Sequence, residues 1–346
     1  MTTQKALLLT EAKTPIIFTD THPIPQPKAS QLQVKVTVAG LNGHDQKVRD
    51  LGIFLDTLGL PVVLSNDVVG KVVKVGDGVN RFTIGDRVVS QADFEPGTRQ
   101  NGLQEYAVFH EQFTAKIPDG ISDDDAATLP TNIIATLVAL FNDLPIPAPW
   151  TEDAKSFNYK NTTLLVVGGG SIAGRFAVQL AKIAGIGRIV VVGGKEDELK
   201  RYGATRVLDR HGGRDVVLER IRTVVGDDLI YAYDVVNLPE GQLLALNALS
   251  SHTKGYFTRL IPWPVDESKV YGKNAGFEVK NTLGISIRHP DLAGEFWKRL
   301  PGYLEEGLVV VPTGYVIRKG LSADSVNELL DSFKDGNALK HAHLHV

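Results

Sequence analysis

Hydrophobic and polar positions change rhythm twice along the chain. From residue 31 to 86, β-branched residues alternate with polar ones, as in LQVKVTVAGLN and DVVGKVVKVGDGVNRFTIGDRVV, and Gly and Asp-Gly steps punctuate the run. Period-two alternation with such breaks predicts short antiparallel strands, here a distorted barrel. Around residue 123 the pattern shifts: Ser122-Asp123-Asp124-Asp125 opens the segment AATLPTNIIATLVALFNDL, and an acidic first turn suits the positive end of a helix. Between 162 and 257 the apolar runs TLLVV, RIVVV, RVL and LIYAYDVV alternate with the helical segments SIAGRFAVQLAKIAG, EDELKRYG and RDVVLERIRTVVG. That order predicts βαβ units, an α/β fold and a doubly wound parallel sheet. The C-terminal part predicts a helix at 292–306, a strand at 309–317, a helix at 323–334 and a strand ending at Val346. No further βαβ unit is visible there, so this part is expected to return to the first domain. The expected division is 1–128, mainly β; 129–287, doubly wound; and 288–346, the return. LPIPAPW, at 144–150, reads as a rigid extended loop.

Composition narrows the function classes. With 346 residues, 43% hydrophobic and 22% charged, the chain is long enough for two cores and is neither disordered nor fibrous. A net charge of −3 and the lack of any Lys/Arg cluster give no footprint for a polyanion, so nucleic acid is not an expected partner. The longest apolar run, 133–141, is about half the ~20 residues a membrane helix needs, and the start lacks the apolar stretch of a signal peptide. A soluble, cytoplasmic protein without membrane contact is expected. Zero cysteines exclude disulfides, thiolate nucleophiles, iron–sulfur clusters and cysteine-based zinc sites.

The chemistry begins at Gly168-Gly169-Gly170-Ser171-Ile172-Ala173-Gly174, set between an apolar strand and an amphipathic helix. A pyrophosphate needs backbone N–H groups without Cβ obstruction, and a helix N-terminus adds donors and partial positive charge. Strand before and helix after turn a weak glycine motif into the Rossmann context, against the alternative of a tight turn with no ligand. The second strand ends in Gly193-Gly194-Lys195, with no acid to accept an adenosine 2′-hydroxyl. Lys195, and Arg210 after the third strand, are candidate partners of a 2′-phosphate, so NADPH is expected over NADH. Solvated surface charge is the alternative for both. Asn237, following the LIYAYDVV run, completes the cofactor-binding set.

With these residues in place, the chain resembles the medium-chain dehydrogenase/reductase superfamily from end to end. AGLNGHDQKVRD looks like the segment that carries a catalytic zinc cysteine in alcohol dehydrogenases and an asparagine in quinone reductases; here that position is Asn42. NDVVGKVVKVGDGVNRFTIGDRVV is similar to the family's G-H-E-x-x-G signature, with Ser65-Asn66-Asp67 where Gly-His-Glu would stand. After Val89 the chain passes through SQADFEPGTRQ to NGLQEYAVF without a four-cysteine lobe. Both zinc sites of the family are therefore missing, and no metal is expected. DDDAATLPTNIIATLVALFNDLPIPAPW looks most like quinone-reductase-like enoyl reductases, including trans-acting enoyl reductases of fungal polyketide pathways.

The resemblance implies a GroES-like, mainly β catalytic domain beside the Rossmann domain. It also implies NADPH-dependent hydride transfer to a polarised double bond: an enone, an enoyl group or a quinone. Asn42 and Thr131 would orient the nicotinamide ribose or carboxamide, with His44 and Asp45 as further candidate catalytic residues. For Asp45 a capping role is the alternative, and for His44 a partly exposed loop position. A zinc-free carbonyl reductase or alcohol dehydrogenase, and an NADPH-binding protein without turnover, are the rival functions; homodimerisation is left open. Two patterns are read as decoys. Tyr315-x-x-x-Lys319 falls on a predicted strand, where one helical turn cannot bring its ends together. His341, His343 and His345 share one face of the terminal strand; with no acid expected nearby, a solvated face is preferred over a metal site.

Overall fold

The 31–86 alternation folds as antiparallel strands. The computed structural model describes residues 2–334 and 341–346. β1 (Thr3–Leu8) and β2 (Ile17–Pro23) pair with each other, and β3 (Gln31–Leu41) runs antiparallel to β4 (Asp67–Val75). Between those two strands lie α1 (Gly43–Leu51) and the single turn α2 (Leu55–Leu58). β5 (Arg87–Gln91), β6 (Tyr106–His110) and β7 (Thr114–Lys116) follow. Leu32, Val34 and Val36 of β3 enter one apolar cluster with Val68, Val88 and Phe109, whereas Ala39 and Leu41 enter another with Leu7, Val48 and Leu103. A register irregularity between Val36 and Val38 separates the two halves of the strand. The segment from Asp123 is not one helix. Ser122 caps α3 (Asp123–Ala127) by accepting from the Asp125 N–H, and α4 (Pro130–Val138) restarts at a proline, which has no N–H to continue the first helix.

Six parallel strands build the doubly wound sheet: β8 (Thr163–Val167), β9 (Arg188–Val192), β10 (Arg206–Leu208), β11 (Tyr231–Asp234), β12 (Gly255–Arg259) and β13 (Phe277–Asn281). Their order, β10-β9-β8-β11-β12-β13, reverses direction between β8 and β11. The crossovers are α5 (Ile172–Ala184), α6 (Glu196–Tyr202), α7 (Arg214–Val225) and α8 (Pro239–Ala248). With helices as crossovers, Leu164 to Val167 and Ile189 to Val192 are buried throughout, which explains runs that do not alternate.

The C-terminal part supplies α9 (Pro290–Glu305), β14 (Tyr315–Lys319), α10 (Ala323–Ser332) and β15 (His341–His345). The strand expected over 309–317 is confined to β14. Val310 instead exchanges two hydrogen bonds with the Gln179 side chain of α5, so a β-branched run reads as a strand although its backbone is held by a helix side chain. β15 pairs with β14 in parallel and with the second half of β3 antiparallel. The resulting sheet, β14-β15-β3-β4-β5-β7 with β6 beside β3, is an open path among the described residues. The chain forms two compact units: Met1–Thr131 with Ile285–Gly307 and Val311–Val346, and Asn132–Gly284 with Leu308–Val310. No helix of the described residues is long and apolar enough to cross a membrane.

Candidate active site

At the end of β8 the chain turns on Gly168, whose φ of +99° lies where glycine is favoured. The N–H groups of Gly168 and Gly169 donate to Val192 O at 3.0 and 3.2 Å. Ser171 caps α5: its Oγ accepts from the Gly174 N–H at 3.0 Å and donates to Gly168 O at 2.8 Å. A Cβ at Gly169 would lie 2.2 Å from Val191 Cγ1, and one at Gly174 would lie 2.3 Å from Gly168 O. These two glycines therefore let strand, turn and helix close on one another. Gly170 is exposed and keeps the outer side of the turn bare, while the N–H groups of Ile172 and Ala173 start the helix with no acceptor inside it. The turn sits where the strand order reverses, beside Val235 and Val236 after β11. These residues fit a pyrophosphate: a bare backbone surface, helix-start donors and the switch-point position where α/β sheets bind ligands.

Two cations flank the loop after β9. Gly193 and Gly194 take φ of +78° and +96°, and Lys195 precedes α6 as its N-cap residue. The Arg210 side chain runs along Gly193, with its Cδ 3.3 Å from where a Cβ would be. Both cations are exposed, and neither makes an ion pair among the described residues. Asn237 is committed differently: its N–H and Nδ2 each donate to Asp234, at 2.9 Å, which shapes the turn after β11. Arg175 was not singled out from sequence. It pairs with Glu198 at 3.3 Å, and its buried Nε has no hydrogen-bond partner among the described residues.

In the first unit, α1 starts directly after β3, and Asn42 is its N-cap residue. Asp45 accepts from the Asn42 N–H and the Ser65 N–H, each at 2.8 Å. Its carboxyl is 1% exposed, and burial pushes it up to about 7 against the opposing pull of those two donors. With both oxygens engaged by backbone, Asp45 ties the start of α1 to the segment at Ser65, the capping role named as its alternative. His44 lies within α1 rather than in an exposed loop. Its ring packs 5.5 Å from Phe54 and 5.4 Å from Phe94, and both ring nitrogens are buried without a hydrogen-bond partner among the described residues. Burial, helped by nearby Lys47, lowers it to about 4, so at neutral pH the ring is uncharged and offers one N–H and one lone pair.

A buried carboxylate organises the other polar groups. Asp67, fully buried on β4, accepts from the Thr131 N–H at 2.7 Å and the Thr131 hydroxyl at 2.5 Å through one oxygen. Its second oxygen accepts from Asn42 Nδ2 at 2.8 Å and lies 3.5 Å from His341 Nε2. Asn42 and Thr131 are thus brought together by a residue that the sequence showed only as a departure from the family signature.

The solvated histidine face is overturned. His341 and His343 are 5% and 0% exposed, and Asp124 of α3 accepts from both His343 and His345. The helix start and the terminal strand are 219 residues apart, so nothing local announced the acid. Gly40 of β3 admits the His341 ring, whose Cε1 would stand 3.0 Å from a Cβ there. Tyr315 stacks on His343 and its hydroxyl reaches Asp125 at 3.3 Å, whereas Lys319 lies four residues further along β14. Among the described residues, no group of three or more His, Asp or Glu gathers in a way that could hold a metal ion.

Residues 28–119 match the alcohol dehydrogenase GroES-like domain. Dehydrogenase mokE of Monascus pilosus is 31% identical, over 90% of this chain and 90% of its own. The chain belongs to the medium-chain dehydrogenase/reductase superfamily. Within that superfamily it falls in the zinc-free branch, where Asn42 and Asn66 stand at positions of zinc ligands. As a member it is an oxidoreductase that uses a nicotinamide cofactor and acts on a small molecule. The enoyl reductase component lovC of the lovastatin nonaketide synthase of Aspergillus terreus is 30% identical, over 70% of this chain and 65% of its own. In fold, the chain is similar to mycobacterial Rv1454c, solved as a complex with NADPH, at a TM-score of 0.74 and 21% identity, covering 99% of this chain and 100% of that one.

Proposed function

We propose that the chain is an NADPH-dependent, zinc-independent reductase acting on an activated C=C bond, an enone or enoyl group, or on a quinone. The observation that carries the cofactor reading is the pairing of a Cβ-free phosphate turn, Gly168 to Gly174, with two cations that make no ion pair among the described residues, Lys195 after β9 and Arg210 after β10. Gly193 lets the Arg210 stem lie close to the backbone, and the missing acid removes repulsion toward a 2′-phosphate. Asn42 and Thr131, fixed by Asp67, would hold the ribose or carboxamide of the nicotinamide. NADPH, when bound, supplies the hydride.

The acceptor follows from the strength of the donors. An isolated ketone reduced to an alkoxide concentrates a full charge on one oxygen, whereas conjugate addition leaves an enolate whose charge is spread. The neutral His44 ring and the Asn42 amide are hydrogen-bond donors of ordinary strength, suited to the second case, whereas the Thr131 hydroxyl gives its one hydrogen to Asp67. His44 at about 4 offers an N–H for the oxygen rather than a ready proton for carbon. The lovC likeness supports C=C reduction. The test is NADPH consumption with enones, quinones and aldehydes offered separately. Turnover of enones or quinones is expected; turnover of aldehydes alone would transfer the chain to the carbonyl reductases. Tight NADPH binding with no turnover across the panel would make it a cofactor-binding protein.

A further inference from the structure

Behind Asn42 runs a line of hydrogen bonds whose protons can be counted. Asn42 Nδ2 donates to Asp67, so Asn42 Oδ1 is an acceptor, and it lies 2.9 Å from His341 Nε2. At the other end Asp124 Oδ1 accepts from His343 Nδ1 at 2.9 Å and also from His345 Nε2 at 3.0 Å. Between the rings, His341 Nδ1 and His343 Nε2 are 2.7 Å apart, a distance that holds one proton. Acceptors at both ends and a bond in the middle require three ring protons, and two neutral imidazoles carry two.

We propose that His341 and His343 form a proton-loaded positioning pair. One extra proton shared by the rings, exchanged with solvent through Asp124 and His345, holds the Asn42 amide against Asp67 in the orientation that receives the cofactor. The proposal rests on the NADPH reading of the site. The surroundings carry the charge: Asp67 on β4 stands 3.5 Å from His341 Nε2, and Asp124 on α3 meets His343. Just after that helix, Thr128 Oγ1 is 3.5 Å from His343 Nε2, and Asp125 within it faces Tyr315, which stacks on the His343 ring. Asp123 is occupied by Arg87 and Thr37. Burial, reinforced by neighbouring His341, lowers His343 to about 4, opposed by Asp124. His345, 35% exposed, is the outlet. Loss of the proton leaves two lone pairs facing each other between the rings, or breaks the bond to Asn42.

The experiment combines nitrogen NMR of ¹⁵N-histidine-labelled protein with NADPH binding by fluorescence over a pH series. Three protonated nitrogens across the two rings are expected. On the alkaline side NADPH affinity should fall about tenfold per pH unit once the single proton leaves. His343→Leu should bind NADPH weakly at every pH and lose that limb. His343→Gln, which presents an oxygen to His341 Nδ1, should keep the acid-side affinity. Two protonated nitrogens instead of three overturn the proposal, as does an affinity that ignores pH while three are present. Absence of NADPH binding at any pH brings down the reading of the site, and the ring-proton count then still decides the pair.

Discussion

The glycine turn and the Asp67 cluster do comparable work by opposite means. The turn is made of what is missing: side chains absent at Gly169 and Gly174 let backbone meet backbone, and the groups it offers are main-chain N–H donors at the start of α5. The cluster is made of what is present, with five side chains from distant segments each spending their polar atoms on one another. A backbone site tolerates surface change but no added volume. A side-chain site tolerates neither loss nor exchange of a partner, because a buried group left alone keeps its full desolvation cost.

The contrast can be broken first at Asp67. Asp67→Ala strands the Thr131 N–H and hydroxyl and Asn42 Nδ2, at about 1–3 kcal/mol for each donor that finds no new acceptor. Urea unfolding should show that loss, and NADPH binding should weaken with it. Next comes Gly174→Ala, where the new methyl meets the Gly168 carbonyl. We expect about 3 kcal/mol of destabilisation, since backbone cannot move aside as a side chain can. Thermal unfolding checks this, and a stable variant with unchanged NADPH affinity would show the turn to be only a turn. A smaller effect is expected at the rim: Lys195→Ala should reduce the preference for NADPH over NADH by about tenfold, a charge-assisted bond being worth about 1.5–3 kcal/mol. Fluorescence titration with both nucleotides measures it, and equal losses for the two would remove Lys195 from the 2′-phosphate.

The mildest perturbation sharpens the comparison through pH. His44 sits near 4 in the folded chain against an ordinary value near 6.5, so the unfolded chain binds a proton more readily. Its contribution to stability is complete above 6.5 and is lost as pH falls toward 4. His44→Phe, which suits the ring cluster of Phe54 and Phe94, should flatten that acid limb in urea unfolding measured across the window. An unaltered limb would place the titration elsewhere.

Legibility in the sequence follows the same divide. The βαβ alternation and the glycine turn are local, and local rules reached them. Asn42 and Thr131 came from resemblance. Asp67, which joins them, bonds across 25 and 64 residues, and the His341 bond to Asn42 spans 299. No periodicity encodes such distances. The terminal histidines were misread because alternation along a strand is the same whether water or a helix covers the face; α3 covers this one through Asp124. Val309 to Val311 was misread as strand because β-branched residues favour extended backbone, and here Gln179 supplies to Val310 the hydrogen bonds that a neighbouring strand would have given.

Gly40 shows how one hydrogen atom in place of a methyl group can govern chemistry from behind. A Cβ there would meet Ala127 O at 2.7 Å, Asp67 Cβ at 2.9 Å and the His341 ring at 3.0 Å. Alanine at this position would wedge the imidazole away from its amide and press on the carboxylate without altering any reacting group. The strand thus sets a steric limit on the Asp67 cluster from a position that has no side chain of its own.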